Sequence, residues 1–196
     1  MIIGITGSVG SGKTTAAKLF SKYSYNRIDA DEIGHQAINK NSIAYKKIIK
    51  EFGNKILDEN KNIGRKKFGN IVFNDSQKLK KLNSIVHPII VTEIKNYISQ
   101  IKNKYKNETK IIIDAPLLLE TGTRNLVDEI IVVKCGIKNI LKRNKKYSKE
   151  KIEKILKAQM PLDEKLKRAD FVIDNNKDLR HLEEQVKDII KKFKNK

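Results

Sequence analysis

Gly7-Ser8-Val9-Gly10-Ser11-Gly12-Lys13-Thr14 is the stretch on which the reading of this chain turns. It follows Ile2-Ile3-Gly4-Ile5, a short apolar run that ends in a Gly-rich turn, as a buried parallel strand does. After it, Thr14 to Lys22 places Ala16, Ala17, Leu19 and Phe20 on one helical stripe. Strand, G-x-x-x-x-G-K-[ST] loop and helix together form a phosphate-binding unit. The glycines let successive N–H groups turn inward around an anion, and the helix points its positive end at the same place. Lys13 has the reach for β- and γ-phosphates, and the Thr14 hydroxyl has the chemistry for magnesium. A match this long arises by chance in roughly 1% of chains of this size, so the segment predicts nucleoside triphosphate binding.

Beyond this unit, apolar runs and helical periodicities alternate. Strands are expected at Arg27–Asp29, Ile111–Asp114, Ile130–Val133 and Phe171–Ile173. Helices are expected over about 32–52, 66–73, 76–86, from Pro88 to about Lys104, 137–146, 149–158 and Leu179 to Phe193. This alternation predicts an α/β fold, a five-stranded parallel sheet with helices on both faces, and ligands beyond the carboxyl ends of the strands. The chain reads as one domain, and the helical stretch between the second and third strands is long enough for a small substrate-binding lobe. Asp29-Ala30-Asp31 lies at a strand end, where a kinase needs a carboxylate to take the proton of the attacking hydroxyl. Asp at such a place also serves as a turn former or helix cap. Position favours Asp31 as the base and leaves Asp29 to orient the turn.

Composition narrows the classes. No apolar run approaches the ~20 residues of a membrane span, and the first residues lack the charged lead of a signal peptide, which predicts a cytoplasmic protein without a membrane partner. Cys135 is the single cysteine, so an internal disulfide and a cysteine-held zinc are excluded. The net charge of +19 invites a nucleic-acid reading, but only six of the 42 basic residues are Arg. Lys is scattered among Ile and Asn along the whole length, as an AT-rich coding bias produces, and Arg is the residue that reads bases. No specific nucleic-acid partner is expected; the field instead favours capture of polyanionic substrates.

The motifs, taken in order, resemble the dephospho-coenzyme A kinase family. Gly4-Ile5-Thr6 through Thr15 and Ile28-Asp29-Ala30-Asp31 match, as do Arg65 with Val72-Phe73, and Leu82-Asn83-Ser84-Ile85-Val86-His87-Pro88. Asp114-Ala115-Pro116-Leu117-Leu118-Leu119-Glu120, Ala158-Gln159-Met160-Pro161 with Lys165, and Ala169-Asp170-Phe171-Val172-Ile173-Asp174-Asn175 complete the likeness, which runs from Ile3 to about Val186. The resemblance implies a P-loop kinase fold, with a nucleotide-binding core at 1–32 and 106–196, a helical acceptor lobe at 33–105 and a short lid at about 143–150. The activity it implies is ATP-dependent phosphorylation of the ribose 3′-hydroxyl of dephospho-coenzyme A. Another small-molecule or nucleotide kinase of the same fold is the alternative.

Carried over by motif, Gly10, Ser11, Gly12, Lys13, Thr14 and Thr15 bind ATP, with Asn175 near the adenine. Lys13, Asp31 and Arg143 are the catalytic set. Thr14 is the expected magnesium ligand, joined through water by Asp114, as P-loop carboxylates often are, at a position where the family does not insist on Asp. Asp31, Arg65, His87, Pro116, Leu117 and Glu120 surround the acceptor, although His87, just before a proline, equally suits a structural hydrogen bond. A monomer is expected. The sequence departs from the family at Ser8 (commonly Gly), at His35 (commonly Arg) and at Asn144-Lys145-Lys146-Tyr147, where a second lid Arg is missing.

Overall fold

The computed structural model describes residues 1–106, 109–144 and 148–194. They divide into two compact units, Met1–Asp29 with Tyr97–Lys196, and Ala30–Asn96.

The first unit is built on a parallel sheet of β1 (Ile2–Gly7), β2 (Asn26–Asp29), β3 (Ile111–Asp114), β4 (Glu129–Lys134) and β5 (Phe171–Asp174), in the order β2-β3-β1-β4-β5. The central strand β1 is buried along its whole length, which is why its sequence is continuously apolar instead of alternating. Register brings the carboxyl ends into line: Asp29 lies opposite Asp114, Asp114 opposite Ile5, Gly7 opposite Val133, and Lys134 opposite Asp174. The charged and Gly-rich positions singled out by sequence therefore gather along one edge.

One face of the sheet is covered by α1 (Lys13–Ser21) and α9 (Leu179–Lys194). Ile3, Ile5, Ile112 and Ile131 of the sheet meet Ala16, Ala17 and Phe20 of α1 and Val186 and Ile190 of α9 in one core. On the other face α8 (Leu162–Leu166) packs against β4, and Leu118 lies so close over Gly4 that a Cβ there would come within 2.5 Å of it. A side chain at position 4 would force the buried Leu118 side chain to move aside. The first unit also contains α6 (Ile137–Arg143) and α7 (Lys149–Ala158), the latter capped by the Ser148 hydroxyl, which accepts from the Lys151 N–H.

The second unit is helical: α2 (Ala30–Ala37), α3 (Ile43–Phe52), α4 (Arg65–Phe73) and most of α5 (Ser76–Tyr105). Its own core gathers Ile48, Phe52, Ile56, Phe68, Val72 and Val86. Two expectations are corrected here. The single helix over 32–52 is two, because Asn41 takes a positive φ of 71° and the Ser42 hydroxyl caps α3 by accepting from the Tyr45 N–H at 3.0 Å. Conversely, Pro88 does not begin a helix but lies inside the 30-residue α5. The carbonyl that loses its N–H partner belongs to Ser84, an exposed residue at which water can replace the lost bond, while Ile94 and Ile98 beyond it are buried.

Candidate active site

The loop between β1 and α1 is a cradle made by backbone. Gly10 and Gly12 have φ of 74° and 90°, values that L side chains rarely adopt. Gly12 stands at the N-cap of α1 and supplies no side-chain cap, and the N-terminal end of that helix carries the positive end of its dipole. Ser8 is not among the described non-Gly residues with positive φ, so its departure from Gly costs the loop nothing. A Cβ at Gly7 would fall 2.5 Å from the Val133 carbonyl oxygen, so the turn requires glycine there for space.

Behind the loop lies a buried charge cluster. Asp114, fully buried at the end of β3, accepts from Lys13 Nζ on Oδ1 and from Arg27 on Oδ2, each at 2.8 Å. Arg27 also pairs with Asp29, two residues along the same strand and hence on the same face. Burial pushes the Asp114 carboxyl up, but the Lys13 ammonium, the Arg27 guanidinium and the Thr14 hydroxyl outweigh it and leave the carboxyl below its usual range. Thr14 and Asp114 thus place a hydroxyl and a carboxylate in hydrogen-bonding contact at the first turn of α1, an all-oxygen donor set that fits magnesium.

A second cluster ties the segment after β3 to the C-terminal third. Lys165 Nζ, wholly buried, donates to the Pro116 carbonyl at 2.7 Å and to Glu120 Oε1 at 2.9 Å. Burial pushes the Lys165 ammonium below its usual range, and Glu120 pulls the other way. Glu120 Oε1 also accepts from the Met160 N–H at 2.9 Å, and Thr6 Oγ1 donates to the Pro116 carbonyl at 3.1 Å. Gln159 Oε1 accepts from the Val9 N–H of the loop at 3.1 Å.

The family model described as Dephospho-CoA kinase matches residues 1–181 of this chain. The chain belongs to that family. It is 42% identical over 190 residues to the dephospho-CoA kinase of Fusobacterium nucleatum, with 95% of each chain covered. Among solved structures it resembles TT1252 from Thermus thermophilus, with a TM-score of 0.80 and 28% identity over 98% of this chain and 97% of that one. It also resembles the dephospho-CoA kinase of Campylobacter jejuni, with a TM-score of 0.70 and 29% identity over 98% and 96%. The fold is that of a P-loop kinase, and the protein is a kinase of the last step of coenzyme A biosynthesis.

The residues singled out by sequence fall into both units. Gly10, Ser11, Gly12, Lys13, Thr14, Thr15, Asp114, Pro116, Leu117, Glu120, Arg143 and Asn175 belong to the first; Asp31, Arg65 and His87 belong to the second. Asp31 is exposed in the first turn of α2, two residues beyond the carboxyl end of β2. Arg65 opens α4 and borders a cavity of about 350 Å³ shared with Lys40, Asp58 and Ile63. His87 is half-buried within α5. Asn175 is buried with its side-chain amide on the Ser11 carbonyl, and the Arg143 guanidinium is held by the Asn175 and Lys177 carbonyls. Lys145, Lys146 and Tyr147 of the expected lid lie outside the described residues.

Sequence reading passed over Arg27 and gave no role to Gln159 or Lys165. The Arg-x-Asp spacing in a predicted strand was a usable signal for Arg27. For Gln159 the only sequence signal is its place in the family's C-terminal signature, because its contact spans 150 residues.

Proposed function

We propose that this chain transfers the γ-phosphoryl group of ATP to the ribose 3′-hydroxyl of dephospho-coenzyme A, using magnesium, in the cytoplasm and as a monomer. The observation that carries the reading is the uncapped, positive-φ loop Gly7–Thr14 within a chain that matches the family from residue 1 to 181.

The loop N–H groups and the α1 terminus hold the β- and γ-phosphates. Lys13 leaves Asp114 Oδ1 for the γ-phosphate, where its charge offsets that developing on the transferred group. Asp114 remains anchored by Arg27 through Oδ2, so the carboxylate keeps its orientation as Lys13 moves. Thr14 and Asp114 are the residues that would hold magnesium, which when bound would supply positive charge to the phosphates. Asp31 accepts the proton of the 3′-hydroxyl as its oxygen attacks the γ-phosphorus and ADP leaves. Arg65, His87 and the segment Pro116–Glu120 hold the acceptor, and Asn175 lies beside the adenine.

Incubating the purified protein with ATP, magnesium and dephospho-coenzyme A and identifying products by mass tests this directly. The expected products are coenzyme A and ADP, lost on magnesium chelation. Phosphorylation of a different acceptor in a panel, with dephospho-coenzyme A untouched, would overturn it. Light scattering on the same sample reports the oligomeric state, expected monomeric.

A further inference from the structure

We propose that Arg143 is a positioning residue for the phosphate loop, acting through Asn175, and not a group that meets the phosphates itself. The proposal rests on the loop being the ATP site, as above.

The argument starts at the Ser11–Gly12 peptide. Its carbonyl accepts from Asn175 Nδ2 at 2.7 Å, a contact buried from solvent. In a trans peptide C=O and N–H point in opposite directions. Fixing the Ser11 oxygen on the outside of the loop therefore turns the Gly12 N–H toward the inside, where the phosphate nest is formed. Gly12 has a φ of 90° and a missing Cβ that would stand 2.1 Å from Asn175 Nδ2, so the loop and the amide interlock with no spare room. A shift of Asn175 is thus transmitted to the loop.

Asn175 is in turn fastened by backbone. Its N–H donates to the Lys134 carbonyl at 2.9 Å, which continues the β5 edge past Asp174. Its carbonyl accepts from one terminal nitrogen of Arg143 at 2.7 Å, while the other donates to the Lys177 carbonyl at 2.6 Å. The first nitrogen also lies 3.8 Å from Cys135 Sγ. A planar fork spanning two carbonyls two residues apart clamps the turn that carries Asn175. Each terminal nitrogen therefore gives one hydrogen to this turn, which ties the end of α6 at Arg143 to the residue that holds the loop.

A double-mutant cycle with two readouts tests this. Arg143→Ala and Asn175→Leu, the latter similar in size but without a donor, are made singly and together. kcat and KM for dephospho-coenzyme A are measured with the wild type alongside, well below each melting temperature. ATP affinity is titrated without acceptor, so the loop is read even if the acceptor assignment were wrong. Misplacement on this scale costs roughly 10- to 100-fold in kcat. Each single variant is expected to lose that much in kcat and several-fold in ATP affinity, with KM for dephospho-coenzyme A within about twofold, and the double variant within about threefold of the worse single. Arg143→Lys, which keeps the charge but not the fork, is expected to regain less than about threefold. Losses that multiply in the double variant, or full recovery in Arg143→Lys, would show that Arg143 acts on the phosphates by its charge, and would overturn the proposal.

Discussion

Replacing Asp114 by Asn asks how much of the first unit's stability hangs on one buried carboxylate. Asn keeps the shape and one acceptor oxygen, but its other polar atom is a donor facing a cation. Whichever way the amide turns, either Lys13 or Arg27 loses its acceptor on residue 114, and the compensating negative charge there is gone. The side chains of Lys13 and Arg27 are only 10% and 19% exposed, so water replaces little of what is lost. Breaking a buried pair by removing one partner costs about 3–5 kcal/mol. Arg27 keeps Asp29, which places the expectation near the lower end, about 3 kcal/mol. For a chain of this size that corresponds to a melting point lower by roughly 6–12 °C.

The pH dependence has a definite sign. Asp114 is held below its unfolded-state value, so its contribution is fully present above that value and is lost as pH falls through the lower folded one. The gap between wild type and variant should therefore be constant from neutral pH down to about 5 and close below about 4. Urea unfolding across that range, with Lys13→Met alone and combined with Asp114→Asn, is the assay. In the double variant no cation is stranded at Oδ1, so it should be more stable than the sum of the two single losses predicts, by 1 kcal/mol or more. A loss under about 1 kcal/mol for Asp114→Asn, or strictly additive losses in the double variant, would refute the view of this cluster as a mutually dependent charge group.

Asp31→Asn should lower kcat by about 10²–10⁴-fold with ATP affinity nearly unchanged, while Asp29→Asn costs less turnover; a normal kcat for Asp31→Asn in a dephospho-coenzyme A assay would put the base elsewhere. Lys13→Ala should lose turnover by orders of magnitude in a protein that still shows folded circular dichroism, and near-normal turnover would remove the loop from the chemistry. Lys165→Met strands the Glu120 carboxylate, whose Oε2 is already buried without a partner, and should destabilise by about 3–5 kcal/mol; adding Glu120→Gln should recover part of it, and no recovery would mean that packing, not charge, sets the loss. Duplex DNA should bind weakly and without sequence preference, and a defined footprint surviving ~200 mM salt would contradict that.

β1, β3 and β4 were legible as buried Ile- and Val-rich runs bounded by turn residues, the pattern that burial on two faces imposes. β2, Asn26-Arg27-Ile28-Asp29, and β5, Phe171-Val172-Ile173-Asp174, are only partly buried and were legible from the short apolar stretch before a terminal Asp. The phosphate loop was legible because its backbone demands glycine at fixed places. Ser42 was a readable cap, yet the apolar spacing on either side stayed in phase and hid the break between α2 and α3. Pro88 misled for the opposite reason, since a local rule was overridden by the burial of the helix beyond it. Arg143 shows the deeper limit. A charged residue at a familiar place suggests what its charge does, but whether its hydrogens are spent on backbone carbonyls depends on contacts more than 30 residues away.

The strand order also sets a timetable. β1 ends at Gly7, but its two neighbours begin at Ile111 and Glu129. At ~5–20 residues per second, a ribosome delivers those partners roughly 5–25 s after β1 has been made. The second unit, Ala30–Asn96, is continuous in sequence and is complete before either partner of β1 emerges. Its helices close over local contacts, whereas β1 waits as an unpaired apolar segment. The positive-φ turn at Gly10 and Gly12 therefore hangs on a strand that is synthesised first but gains its partners only after the second unit is made.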